Sequence, residues 1–309
     1  MILCVGTTPV LQRSMIFQRL RIDEVNRAIE VSEYPSGKSI NVARVAHTLG
    51  EAVLVTGFLG GDSGKVIRDE LGVAGVPHDF VSVAPETRMC VTLIDRDGGE
   101  VTELVEEAKA VEADAWDQLD RKIEMLLPRA KLLVLSGSLP PGAPQEFYKR
   151  CVLRAREAGV EAIIDGSGEP LRHALAARPL VVKPNRAELA RTLNVSIESE
   201  DSLRDAIRSL IESGPTWAVV TEGKAGAMVS DGKSYWRVRS PQVKAINPIG
   251  SGDALAAGLA CAIARGEKMP DACKLAVACG AANAMTERAG FVRPEDVEAL
   301  RPQITVESL

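Results

Sequence analysis

The chain has 309 residues, of which 46% are apolar and 26% charged, and a formal net charge of −5. That length suffices for one large domain, or a large domain with a small appendage, without a disulfide or metal staple. The charge balance gives no basic face for nucleic acid, and the longest apolar run near the C-terminus, Ala254–Ala264, is too short to span a bilayer.

The first segment, Ile2–Val5, reads as a strand with no basic leader or cleavage site, so a cytoplasmic location is expected. Further strands are predicted at Ala52–Thr56, Leu132–Leu135, Ala162–Ile164, Leu180–Val182, Trp217–Thr221 and Ala227–Val229. Helical patterns lie between most of them: Ile40–Leu49, stopped by Gly50, then Val66–Leu71, Ala115–Leu127, Gln145–Ala158, Ala187–Leu193 and Ser202–Ser213. Pro270 opens a further helix in its first turn. This alternation predicts an α/β fold with a mostly parallel sheet flanked by helices. Residues 12–34 and 88–105 break it and read as short antiparallel strands. Cys90–Asp95, Gly98-Gly99 and Glu100–Val105 form a hairpin signal. A few strands cannot stand alone in water, so they are expected to form a lid on a single domain spanning 1–309. None of the six cysteines lies in a CxxC pair. Cys273 and Cys279, in an apolar helical stretch, read as small buried hydrophobes of a reducing compartment.

Three segments carry chemistry. Asn247-Pro-Ile-Gly250-Ser251-Gly252-Asp253 runs directly into an apolar helix. Free N–H groups at such a turn make an anion hole, and Asp253 stands where a carboxylate accepts a hydroxyl proton. A plain helix cap accounts for the same residues. In Lys183-Pro184-Asn185-Arg-Ala-Glu188 a buried strand ends and a helix begins. Lys183 there suits a nucleotide phosphate, and Asn185 with Glu188 suits magnesium held through water. The same pair is also a capping box, and the two readings are compatible. Ser36-Gly37-Lys38-Ser39-Ile40-Asn41 lacks the G-x-x-x-x-G-K spacing, which excludes an ordinary P-loop. Two more loops follow strands, Ser136-Gly137-Ser138 and Thr221-Glu222-Gly223-Lys224-Ala225-Gly226.

In this order these segments resemble the PfkB (ribokinase-like) carbohydrate kinases, closest to the 1-phosphofructokinase and tagatose-6-phosphate kinase branch. The resemblance runs from Thr8-Pro9 to Ala281-Ala282-Asn283 and includes Gly57–Gly61, Thr87-Arg88, Thr102–Leu104 and Ile164-Asp165-Gly166-Ser167-Gly168. It implies a ribokinase-like fold and ATP-dependent transfer to a ketohexose phosphate. Asp253 would be the base, and Gly250, Ser251 and Gly252 the anion hole. Lys183, Asn185 and Glu188 would serve the ATP phosphates and Mg2+. Thr221, Gly223 and Gly226 would line the nucleotide pocket, with Asn283 near the base of the nucleotide. Gly37, Lys38, Asn41, Arg88 and Ser138 would hold the sugar phosphate. The family's lid often serves as a homodimer contact. Two departures fall on the sugar side: Gln12 stands where the family has an aspartate, and Ser36 and Ser39 replace glycines. The alternatives are a kinase of another sugar or nucleoside, and a non-catalytic sugar-phosphate binder. Intact Asp253 and Gly250–Gly252 speak against the second.

Overall fold

A computed structural model describes all residues, 1–309. The chain opens with β1 (Ile2–Gly6), β2 (Val10–Phe17) and β3 (Glu30–Ser36). Helix α1 (Lys38–Thr48) leads to β4 (Val53–Gly60), α2 (Gly61–Val73) and β5 (Val81–Val83). Then come β6 (Met89–Asp95), β7 (Glu100–Val105), α3 (Ala113–Leu126), β8 (Leu132–Ser136), α4 (Phe147–Glu157), β9 (Glu161–Asp165) and α5 (Gly168–Leu175). The middle continues with β10 (Val181–Val182), α6 (Arg186–Leu193), α7 (Glu200–Glu212), β11 (Trp217–Thr221), β12 (Ala227–Ser230) and β13 (Tyr235–Arg239). The end holds α8 (Ser251–Ala264), α9 (Ala272–Ala284), α10 (Pro294–Leu300) and β14 (Thr305–Ser308).

Ten strands form the main sheet in the order β14-β13-β12-β11-β10-β9-β8-β1-β4-β5. It is parallel from β11 to β5. The antiparallel edge of β12, β13 and β14 is only partly foreseen by sequence, because β13 and β14 are short and polar. Consecutive residues of β1 face opposite layers: Ile2 and Cys4 enter one core cluster, and Leu3 and Val5 enter the other. Helices cover both faces, which is why the central strands are apolar without alternation. All six cysteines are buried and unpaired. No helix is long and apolar enough to cross a membrane.

The lid is a separate four-stranded sheet, β3-β2-β6-β7. Its two hairpins are antiparallel as expected, but β2 pairs with β6 in parallel, correcting the all-antiparallel reading. Gly99, not Gly98, supplies the positive φ in the β6–β7 turn. Gln12, Tyr34 and Cys90 lie directly opposite one another across the lid and therefore share a face.

The helix that carries Asp253 is fixed by close packing. Helix α8 is buried from Asp253 to Ala262 and packs on α9 and α1. At Gly258 an added Cβ would lie 2.7 Å from both the Cys279 Sγ and the Leu275 carbonyl oxygen. Only glycine permits that approach. Gly258→Val is therefore expected to lower unfolding stability by about 3 kcal/mol through overpacking, read as a lower urea midpoint at unchanged slope.

Candidate active site

Strand order reverses at β1, with β4 on one side and β8 on the other. In open α/β sheets ligands bind at the carboxyl ends of strands near such a reversal. The last residue of β9 is Asp165, fully buried. Its Oδ1 accepts from Lys38 Nζ and from Lys183 Nζ, each at 3.2 Å, while Oδ2 has no partner. Lys38 Nζ also reaches Glu188 Oε1 at 3.2 Å. Burial alone would raise the Asp165 pKa, but Lys183 and Lys38 reverse this and hold it below the usual carboxylate range. Burial likewise disfavours the charged Lys38, yet Asp165, Asp253 and Glu188 hold its pKa above the ordinary value. Asp165 is the charge that sequence reasoning did not place in the site. Its signal was an acid closing a buried strand, just before Gly166-Ser167-Gly168.

Asp253 lies in the first turn of α8. The residue that caps this helix is Gly250, in the left-handed region at φ 79°, with no side-chain cap bond. Asp253 is thus free of the capping role. Its Oδ2 accepts instead from Asn41 Nδ2 at 2.8 Å. Burial pushes the Asp253 pKa up to about 6; Lys38 opposes the rise, Asp165 adds to it, and Asn41 opposes it. In the turn, the Ser251 N–H bonds to the Pro248 carbonyl and the Asp253 N–H to the Gly250 carbonyl. The N–H groups of Gly250 and Gly252 have no such partner, so they are the donors an anion would meet. A Cβ on Gly252 would lie 3.8 Å from Lys183 Nζ, which brings that ammonium to the same turn.

Asn283, expected near the nucleotide base, is bonded to protein groups on every side that the structure shows. It is fully buried, its Nδ2 donates to the Ile249 carbonyl and to Ser251 Oγ, and its Oδ1 accepts from the Gly290 N–H at 2.7 Å. It braces the turn from behind. Its neighbours Gly280, Ala281 and Ala284 face the cavity instead.

That cavity, about 430 Å³, opens beside the turn between Asn185, Thr221, Gly223, Gly226, Ser251 and Gly252. Gly226 is required there: φ is 101°, and a Cβ would meet the Val238 carbonyl at 2.0 Å. At its edge the capping box of α6 is complete. Asn185 Oδ1 accepts from the Glu188 N–H and Glu188 Oε2 from the Asn185 N–H, both at 2.8 Å. Each Glu188 oxygen thus has one partner and a lone pair to spare. No group of three or more acidic, histidine or cysteine side chains stands ready to hold a metal. The donors suit an ion that keeps most of its own waters, as magnesium does.

Several of the residues expected on the sugar side converge around Thr8. Thr7 and Thr8 hydroxyls donate to the Ser138 carbonyl, Arg88 donates to the Thr8 carbonyl at 3.2 Å, and a Cβ on Gly37 would touch Pro9 Cα at 2.9 Å. Lys38 pairs with the carboxylates of Asp165 and Glu188 and lines a cavity with Ser138 and Glu188. Gln12 is buried, and its Nε2 donates to Thr92 Oγ1 at 2.8 Å.

The model for the pfkB family carbohydrate kinases matches residues 1–296. The chain belongs to that family. Solved structures agree with this pfkB assignment. A protein described as a possible 1-phosphofructokinase from Thermotoga maritima is 26% identical, with a TM-score of 0.91 over 100% of this chain and 99% of that one. Phosphofructokinase-2 from Escherichia coli, solved with fructose-6-phosphate, is 27% identical, with a TM-score of 0.89 over 98% of each chain. That enzyme is also known in a tetrameric inhibited form. Ribokinase from Arabidopsis thaliana, at 20% identity and a TM-score of 0.77, shares the pfkB fold over 97% of this chain and 98% of its own.

Proposed function

We propose that the chain is an ATP-dependent kinase of a ketohexose phosphate, of the 1-phosphofructokinase or tagatose-6-phosphate kinase type. The observation that carries this reading is the position of Asp253. A buried carboxylate with a pKa near 6 sits one residue past a turn that offers two free N–H groups. A base is most effective when its pKa lies near the working pH. The acceptor hydroxyl gives its proton to Asp253, its oxygen bonds the γ-phosphorus, and the bond to the β-phosphate oxygen breaks, releasing ADP. The Gly250 and Gly252 N–H groups and Lys183 face the charge that spreads over the γ-phosphoryl oxygens. Lys38, between the two halves, serves whichever phosphate lies above Asp165. Asn185 and Glu188 would hold magnesium through water, and a bound ion there would neutralise phosphate charge. Asp253→Asn keeps the shape but cannot take a proton. It is expected to lower kcat by about 10²–10⁴, with nucleotide binding intact by calorimetry. Retention of a tenth of the wild-type kcat would sink the base assignment.

We read the whole chain as one kinase domain with its lid. The lid also supports a homodimer. Val31, Leu104 and Val105 expose apolar surface on its strands, and Ile22 and Val25 on the β2–β3 loop. Six buried free thiols fit a reducing cytosol.

Gln12 is the proposed reader of the sugar. Tyr34, across the lid from Gln12, reaches the loop behind the anion turn: its hydroxyl accepts from the Ala289 N–H at 3.1 Å. The lid face that holds Gln12 therefore looks toward the reacting centre. One N–H of the Gln12 amide goes to Thr92, so its second N–H and the neutral acceptor Oε1 are left for a sugar, with no charge on either. Exchanging a charge-assisted hydrogen bond for a neutral one is worth about 1 kcal/mol, several-fold in affinity. Gln12→Asp should raise kcat/KM several-fold for at least one of fructose 1-phosphate, fructose 6-phosphate and tagatose 6-phosphate. Values unchanged within about twofold for all three would remove Gln12 from sugar recognition.

A further inference from the structure

Behind the reacting centre lies a buried cation without a counter-ion. Arg44, on α1, is 6% exposed. Its Nη1 donates to Asn41 Oδ1 at 3.3 Å, its Nη2 donates to the Pro35 carbonyl, and its guanidinium carbon lies 4.4 Å from the centre of the Phe291 ring. The charged or ionisable groups that act on it are Tyr34 and a second cation, Arg288, which faces the same ring at 5.7 Å. Burying a guanidinium with no carboxylate is unfavourable. Packing alone would be served better by an apolar side chain of that length.

The chemistry of Asn41 supplies a use for it. The two ends of an asparagine amide are alike in shape and opposite in polarity. A guanidinium only donates, so the end facing Arg44 must be the oxygen, and the NH₂ group is then turned to Asp253. Ser36 Oγ donates to the same Asn41 oxygen at 3.1 Å. A hydroxyl accepts as readily as it donates, so Ser36 follows the amide rather than choosing its orientation. Were the amide reversed, its carbonyl would face the carboxylate and its NH₂ would face a cation.

We infer that Arg44 is a positioning residue for phosphoryl transfer: by fixing the polarity of the Asn41 amide, it holds the Asp253 carboxylate in place as the proton acceptor. The inference rests on the reading of Asp253 as the base. The charged groups that act on Asp253 directly are Lys38 from α1, Asp165 at the end of β9 and Lys183 just beyond β10; Arg44 is not among them. Its influence on that carboxylate must pass through Asn41.

The test is a double-mutant cycle on the full-length enzyme, with kcat and KM measured against ATP and the best-used sugar phosphate between about pH 5 and 9. Arg44→Met, which keeps the bulk and removes the donors, is expected to lower kcat by roughly tenfold or more and leave KM for ATP within about twofold. The acid limb of the kcat profile should move to higher pH, because Asp253 loses a hydrogen bond that favours its ionised form. In an Asn41→Ala background, Arg44→Met should change kcat by less than about twofold and not move the limb. An equal displacement of the limb with and without Asn41 would overturn the inference, since the charge would then act through space. A profile and kcat unaffected by Arg44→Met would overturn it as well. Should the methionine variant not fold, Arg44→Lys decides in the same cycle. It keeps a cation and a donor, so kcat should stay within about threefold of wild type and the limb should not move. A limb moved by Arg44→Lys whether or not Asn41 is present contradicts the relay. If the wild type shows no acid limb, or Asp253→Asn stays active, the base reading fails and takes this inference with it. A normal limb indifferent to Arg44 removes the inference alone.

Discussion

Two ammonium groups share one oxygen of a fully buried carboxylate, and the candidate active site is arranged around that contact. Asp165 cannot be solvated where it stands, so it is stable as an anion only because Lys38 and Lys183 converge on it. In doing so it draws a residue of α1 and a residue following β10 to one point at the end of the sheet. Two cations there serve three carboxylates, since Glu188 leans on Lys38 and Asp253 on both. The lysines hold Asp165 ionised and leave Asp253 undercompensated. Burial therefore pushes the Asp253 pKa up to about 6, while the same two lysines hold Asp165 below the usual carboxylate range a short distance away.

The frame around this cluster is rigid for identifiable reasons. Helix α8 enters the core at Asp253 and packs so tightly on α9 that glycine is needed at 258. Asn283 and Gly290 brace the turn that precedes it, and Gly250 closes onto the Gly290 backbone, where an added Cβ would lie 2.7 Å from its nitrogen. The lid reaches the same loop through Tyr34 and reaches Asn41 through Ser36. The glycine turn, Asp253 and strand β3 of the lid are therefore parts of one hydrogen-bonded and close-packed assembly, drawn from the first fifty residues and the last seventy of the chain.

Most of the fold was legible because its signals are local. Apolar runs ending in glycine turns place β1, β8, β9 and β11, and the capping pair Asn185 and Glu188 places the start of α6. What escaped depends on contacts between distant segments. The parallel pairing of β2 with β6 joins two hairpins that are each locally antiparallel, and nothing within either hairpin encodes it. Strand β14 is the edge of the sheet and β13 lies next to it; both are short and carry charged residues, as strands at a sheet's margin often do. In the site, Asp253 and the glycine turn were visible because turn chemistry is written in adjacent residues. Asp165 was not, because a single acid at a strand end acquires meaning only when two lysines arrive from elsewhere. The partners of Lys38 and Asn283 were hidden for the same reason: Asp165 and Ile249 lie 127 and 34 residues away from them in the chain.

The central claim is that Asp253 accepts the proton of the acceptor hydroxyl from a buried position that raises its pKa. Single-turnover rapid quench with labelled ATP and a saturating sugar phosphate isolates the transfer step from product release. Its rate should climb with pH through one ionisation at about 6 and then level off, and Asp253→Asn should flatten the curve at a low value. A transfer rate that is independent of pH across this range in the wild type, or a rise that survives in Asp253→Asn, would contradict the account.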